Sequence, residues 1–167
     1  MEIKALMNTV GKAGTVLHIS IRAKSREPVT KLQKVMAVAG KGLDGDHYAK
    51  QNGNRQVTLI QQEHLDAVAS FQGQAAIDPA LCRRNIVISG INLLSLKGKQ
   101  FRIGEALLEY TGECHPCSRM EENLGKGGYN AMRGHGGITA RVLESGAICI
   151  GDSVTPMMEL SSDDGGV

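Results

Sequence analysis

The chain is poor in aromatic residues. Its 167 residues include no Trp, two Phe and three Tyr. A single-stranded nucleic acid is held by bases stacked on aromatic rings, and this sequence supplies few of them. It also lacks an excess of either charge. The net charge is +2, and no block of like charge marks a basic face for duplex DNA or RNA, so no nucleic-acid partner is expected. No apolar run approaches the ~20 residues that a membrane helix needs. Met1 to Lys12 has neither the apolar core nor the small-residue cleavage site of a secretory signal. The expected setting is the cytoplasm, without a membrane partner. In that compartment four cysteines do not read as a disulfide framework; they read as reduced, catalytic or metal-binding.

The chain is rich in glycine, with 21 residues, and in short β-type runs. Val16–Ile21 alternates apolar and polar residues. Val35–Val38, Gln56–Ile60, Asn85–Ile88, Gln100–Ile103, Ala106–Tyr110, Ala147–Ile150 and Ser153–Thr155 are further strand candidates. Glycines stand between them, at Gly40, Gly90, Gly98, Gly104, Gly112, Gly146 and Gly151. Many short strands with regular glycine turns predict a mainly β fold, a barrel or sandwich. Helices are few. Gln62–Phe71 places Leu65, Val68 and Ala69 on one face. Ser118–Leu124 reads as a second helix, with Ser118 as N-cap and Glu121 as its capping-box partner. Asn130–Met132 could add a turn to an otherwise long glycine-rich loop from Leu124 to Gly137. Residues 14–157 form the expected domain, between a flexible extension, 1–13, and a flexible tail, 158–167.

The densest chemistry lies at Gly112-Glu113-Cys114-His115-Pro116-Cys117-Ser118-Arg119. Three chemistries compete for the two thiols. A structural zinc needs a second ligand pair, and His47, His135 and Cys82 are scattered singly. A dithiol redox couple would suit the strand-to-helix position, but the strand–helix alternation of a thioredoxin-like sheet is missing. The third is a single reactive thiolate, Cys117, flanked by cations. Arg119 is two residues away, and Arg83, Arg84 and Arg133 lie on other predicted loops. Guanidinium groups favour a thiolate and bind phosphate through paired hydrogen bonds. Such a set suits a ligand with a soft end and a phosphorylated end. Cys82 and Cys149 read as small buried hydrophobes. Gly42-Leu43-Asp44-Gly45-Asp46-His47 is a turn signal whose Asp46 and His47 could also coordinate or shuttle protons. Gly125-Lys126-Gly127-Gly128 is not a P-loop, and no dinucleotide fingerprint or metalloprotease helix is present.

In order along the chain, Gly42–His47, Arg55–Ile60, Arg84-Asn85-Ile86, Leu96-Lys97-Gly98, Phe101–Gly104, Cys114-His115-Pro116-Cys117 and Gly151-Asp152 form a set that resembles the MOSC domain. That family is named for the C-terminal domain of molybdenum-cofactor sulfurases, and the resemblance runs from Gly14 to Thr155. It implies a β-barrel with a few short helices and makes Cys117, in the Pro-Cys dipeptide, the functional thiol. In relatives that reduce N-hydroxylated bases, this thiolate ligates the metal of the molybdenum cofactor (molybdopterin). The resemblance then makes Arg55, Arg84, Arg119 and Arg133 candidates for the pterin phosphate, with Asn85 beside them. Asp46, His47 and His135 become candidates for pterin hydrogen bonds or proton delivery.

An alternative role is that of a sulfur carrier. Cys117 would take persulfide sulfur from a cysteine desulfurase whose pyridoxal phosphate stays on that partner, and Cys114 would release it. A non-catalytic molybdopterin chaperone is a third. Where many relatives carry Gly-Glu-Asn, this chain has Arg83-Arg84-Asn85. No iron–sulfur cysteine cluster is present, so a reductase acting on a small-molecule substrate would need a separate electron-donor protein.

Overall fold

A computed structural model describes residues 1–47, 49 and 52–157. A short helix α1 (Ile3–Met7) precedes strand β1 (Gly14–Ile21). Then come β2 (Thr30–Leu32), β3 (Lys34–Val38), β4 (Gly42–Leu43) and β5 (Val57–Gln61), helices α2 (Gln62–Phe71) and α3 (Pro79–Cys82), and β6 (Ile86–Ser89). After a 3-10 turn at Leu93–Leu96 follow β7 (Gln100–Ile103), β8 (Ala106–Glu113), α4 (Ser118–Leu124), α5 (Gly128–Met132), β9 (Ile138–Glu144), β10 (Gly146–Cys149) and β11 (Ser153–Pro156).

Seven strands close into a barrel in the order β11-β7-β8-β9-β5-β6-β1, with β1 pairing back onto β11. Closure leaves these strands no free edge. Strand β2 hangs on β1 outside the ring, and β10, β3 and β4 form a small separate sheet. One pair departs from the antiparallel rule. β5 and β6 run parallel, because α2 and α3 carry the chain back across one face between them.

That crossover explains the apolar run in β5, which is buried along its whole length. Leu59 and Val57 point into the barrel with Ile86, Ile88, Phe101 and Leu108. Ile60 and Val87 point the other way, into a second cluster with Leu65, Val68, Met120, Leu124 and Met132 from the helices. The barrel core therefore fixes the strands, and the outer cluster fixes α2, α4 and α5 against β5 and β6.

The mainly β barrel matches the expectation, and so do the helix at Gln62–Phe71 and its buried face of Leu65, Val68 and Ala69. Three local readings change. Ile138–Glu144, unassigned from sequence, is a central strand whose alternating Ile138, Ala140 and Val142 enter the core. The glycine-rich stretch is shorter than expected, because Gly128–Met132 is helical. Ser118 is the first residue of α4 and not its cap; Cys117 takes that place without a side-chain hydrogen bond. Glu121 accepts from the Gly127 N–H and, at 3.4 Å, from the Tyr129 N–H, so its carboxylate ties α4 to α5. Residues 158–167, expected as a tail, lie outside the described residues.

Candidate functional site

The ladder between β8 and β9 continues one residue past β8. The Cys114 N–H donates to the Gly137 carbonyl at 2.8 Å. Cys114 is thereby held at 3% exposure against the barrel end. His115 and Pro116 carry the chain outward, and Cys117 sits exposed at the start of α4. The buried Met120 and Leu124 anchor that helix on the outer cluster, so Cys117 is presented from a packed support.

Cys117 lines a cavity of about 170 Å³. Arg22, Arg55, Arg83, Arg84 and Arg119 line it as well, with no carboxylate among the lining residues. These five arginines come from four places along the chain: the end of β1, the approach to β5, the α3–β6 link (twice), and the first turn of α4. Their convergence on one cleft gives it a positive field. It favours anionic ligands.

Arg84 is 6% exposed. Its Nε donates to the Gly136 carbonyl at 2.8 Å and its Nη1 to the Cys82 carbonyl at 3.0 Å. Among the described residues its buried Nη2 has no partner, and the same holds for one terminal nitrogen of Arg83. Buried donors normally find partners, and an orphaned one beside a cavity marks room for an acceptor. Arg83 also takes the left-handed backbone conformation, φ 59° and ψ 31°, which is strained for a residue with a side chain. It ends α3 and turns two successive arginines toward the cleft.

Asp46 and His47 act at one remove. Asp46 Oδ1 accepts from the Arg22 N–H at 2.9 Å, and the His47 N–H donates to the Arg22 carbonyl at 2.6 Å. The Gly-Asp-His loop thus clips the backbone of Arg22, and neither residue lines the Cys117 cavity. Asn85 is spent on the scaffold. Its Oδ1 accepts from the N–H and hydroxyl of Thr58, and its Nδ2 donates to the Ser20 carbonyl at 3.2 Å, joining β1, β5 and β6. Arg133 is exposed and His135 packs edge-on against His64, at 4.7 Å between ring centres, and against Phe71. Neither lines the Cys117 cavity. Arg22 was missed in the sequence, having no local motif; the loop that clips it was the available signal.

The four thiols differ sharply. Burial pushes the Cys82 thiol up to about 11, with Arg84 opposing and Asp78 adding to the rise. It lies among the apolar residues of the outer cluster, as expected. Cys149 is half-buried. Cys114 Sγ accepts from Arg55 Nη2 at 3.6 Å. Among the described residues no three His, Cys, Asp or Glu side chains gather as a metal site, and no helix is long and apolar enough to cross a membrane.

A closed barrel that presents one exposed thiol in an arginine-lined cleft defines the class of protein. The model of the MOSC domain matches residues 44–155, two thirds of the chain, and the chain belongs to that family. Solved structures with the same fold include the YuaD protein from Bacillus subtilis, at 21% identity and TM-score 0.75, over 86% of this chain and 94% of that one. YiiM from Escherichia coli follows at 20% identity and TM-score 0.64, over 86% and 69%. YiiM from Geobacillus stearothermophilus is similar at 17% identity and TM-score 0.67, over 86% and 75%. No curated protein matches the sequence.

Proposed function

We propose that this protein binds the molybdenum cofactor through Cys117 and serves the reduction of N-hydroxylated bases or related small molecules. The observation that carries the reading is the pairing of an exposed thiol with five arginines in one cleft, one of them buried with an unpartnered nitrogen. The residues present fit a group of this kind. A thiolate is a soft ligand suited to molybdenum, and guanidinium groups suit a phosphate. Cys117 would supply the metal ligand, and Arg84 and Arg119, with Arg22, Arg55 and Arg83, would hold the phosphate. When bound, the cofactor supplies two-electron redox chemistry.

The chain's own part is to bind and orient. Arg84 straps the Gly136 backbone and keeps the cleft wall in register. Asp46 and His47 hold Arg22 in place. The arginines counter the charge of the bound anion. Electrons would come from a separate donor protein.

Expression in a host that makes the cofactor, followed by pterin analysis, tests this. Arg119→Glu inverts one charge of the cleft without touching a core residue. It should lower retained pterin at least about tenfold, the effect of losing one charge-assisted contact. Unchanged pterin content in that variant would remove the arginine cleft from the account.

One observation keeps a second reading. Arg55 lines the Cys117 cavity and also contacts the Cys114 sulfur, so both thiols face one guanidinium. That favours a sulfur carrier loaded on Cys117 by a pyridoxal-phosphate desulfurase. A persulfide on Cys117 after incubation with such an enzyme, seen by intact mass, would support it over the first.

A further inference from the structure

Arg83 borders three hollows. It lines the arginine cleft beside Cys117, and it also lines an open groove of about 330 Å³. A third hollow, about 10 Å³, shares Arg22 and Arg83 with the cleft and Val29 and Arg83 with the groove. It has room for about one water and none for a phosphate. Asp46 lines it, with Oδ1 taken by the Arg22 N–H. A ligand that extends from the cleft into the groove therefore runs along Arg83.

The chain holds Arg83 at this junction through α3. That helix begins on Asp78, whose side chain accepts from the Ala80 N–H at 3.0 Å, and it ends as Arg83 turns into the left-handed region at φ 59°. Asn123 of α4 donates from Nδ2 to the Leu81 carbonyl at 3.0 Å. The groove is thereby tied to the helix that starts at Cys117. Pro28, Val29, Ala80 and Leu81 give the groove apolar walls, with Leu81 38% exposed. Arg26 and Glu27 line it from exposed positions.

The cleft holds more cation than one phosphate uses. A phosphate monoester carries a charge of about −1.5 to −2 and three free oxygens, and two guanidinium forks can satisfy them. Five arginines line the cleft, and no carboxylate does. Among the described residues, Arg83 and Arg84 each keep a buried Nη2 without a partner. Arg84 is fixed beside the Gly136 carbonyl, whereas Arg83 reaches the groove, so the two orphaned donors stand at successive points of one path. At about 170 Å³ the cleft alone is smaller than the ~300–1,000 Å³ of most small-molecule sites; cleft and groove joined fall within that range.

We infer that cleft and groove together bind a diphosphate ester. One phosphate lies at Arg84 and Arg119 beside Cys117, the second lies at Arg83, and the organic group beyond it fills the apolar groove. The inference rests on the proposed function in taking the arginine cleft as the anion site. It makes that anion a diphosphate with an organic group at its far end, in place of a terminal monophosphate.

ADP, AMP and pyrophosphate, titrated without added metal into the isotope-labelled full chain expressed without the cofactor, test this. ADP should shift the amide resonances of Cys117 and Arg119 in the cleft and of Val29, Leu81 and Asn123 in the groove. Pyrophosphate should shift only the first pair. ADP should bind at least about tenfold more tightly than AMP, the effect of one further charge-assisted contact. Arg83→Gly removes the guanidinium from a backbone that glycine adopts freely; it should keep its urea midpoint and bring ADP down to the AMP level. Leu81→Glu, at an exposed position, should weaken ADP and leave pyrophosphate unchanged. Equal affinity for ADP and AMP, no binding of ADP, or ADP shifts confined to the cleft overturn the inference, and wild-type protein decides this without any variant. Any of these in a protein that retains molybdenum overturns the inference alone. ADP binding as expected in a protein that retains none removes the proposed function alone.

Discussion

Replacing Arg84 by Ala should cost stability as well as ligand. From sequence, Arg84 reads as a loop arginine whose loss would leave thermal stability nearly unchanged. The structure buries it to 6% exposure and uses two of its nitrogens on the carbonyls of Gly136 and Cys82. A hydrogen bond from a charged donor contributes about 1.5–3 kcal/mol, so two are worth about 3–6 kcal/mol. Against this, removal relieves a buried Nη2 that has no partner among the described residues, an orphaned group that costs about 1–3 kcal/mol. The net loss, low end against low end and high against high, is then about 2–3 kcal/mol, a large part of the ~5–15 kcal/mol of a typical domain. Urea unfolding followed by far-ultraviolet circular dichroism measures it, since the chain has no Trp for fluorescence. The midpoint should fall while the slope is retained. Arg119→Ala, at a half-buried residue of the same cleft, should stay within about 0.5 kcal/mol. A loss below about 1 kcal/mol in Arg84→Ala would refute the strap, because it would mean that neither carbonyl depends on the guanidinium.

Three further outcomes are expected. Gly136→Ala should cost about 2–3 kcal/mol or more, since its Cβ must displace the Cys114 carbonyl, while Gly11→Ala, with open space around it, should be neutral; paired urea curves compare them. Stability should fall on mild acidification. Burial is the largest cause lowering the pKa of both His18 and His64, so the unfolded chain takes up protons first. Stability present above about 6.5 is lost as pH falls through the window down to the depressed native values; a melting temperature that is flat or rising across that window would contradict the assignment. Under limiting iodoacetamide, peptide mapping should find Cys117 labelled first and Cys82 only on unfolding, given the exposure of one and the raised pKa of the other.

The barrel was legible because its strands alternate and its glycines fall between them. Cys117 was legible because two thiols, a proline and an arginine stand within six residues. What escaped the sequence was long-range. Ile138–Glu144 has the alternation of a strand but follows a glycine-rich stretch that hides its start. The parallel β5–β6 pair depends on a crossover that packs only once the outer cluster forms. The arginine cleft is built by four separated segments, so Arg22 carries no local mark, and Arg133 looked as eligible as Arg119. Gly-Asp-His at 45–47 drew attention as a chemical motif. Its place in the fold is to grip the backbone of Arg22, a role visible only when residues 22 and 46 meet. Asn85 was singled out beside Arg84, but its amide is consumed in joining three strands.

The central claim is that Cys117 is the one thiol that holds a metal cofactor. It is tested most directly by the molar ratio of molybdenum to protein in the wild type, Cys117→Ser and Cys114→Ser, purified in parallel from a host that makes the cofactor. The account predicts stoichiometric metal in the wild type, a substantial share in Cys114→Ser, and almost none in Cys117→Ser. Metal retained by Cys117→Ser at the wild-type level, or absent from the wild type itself, would contradict it.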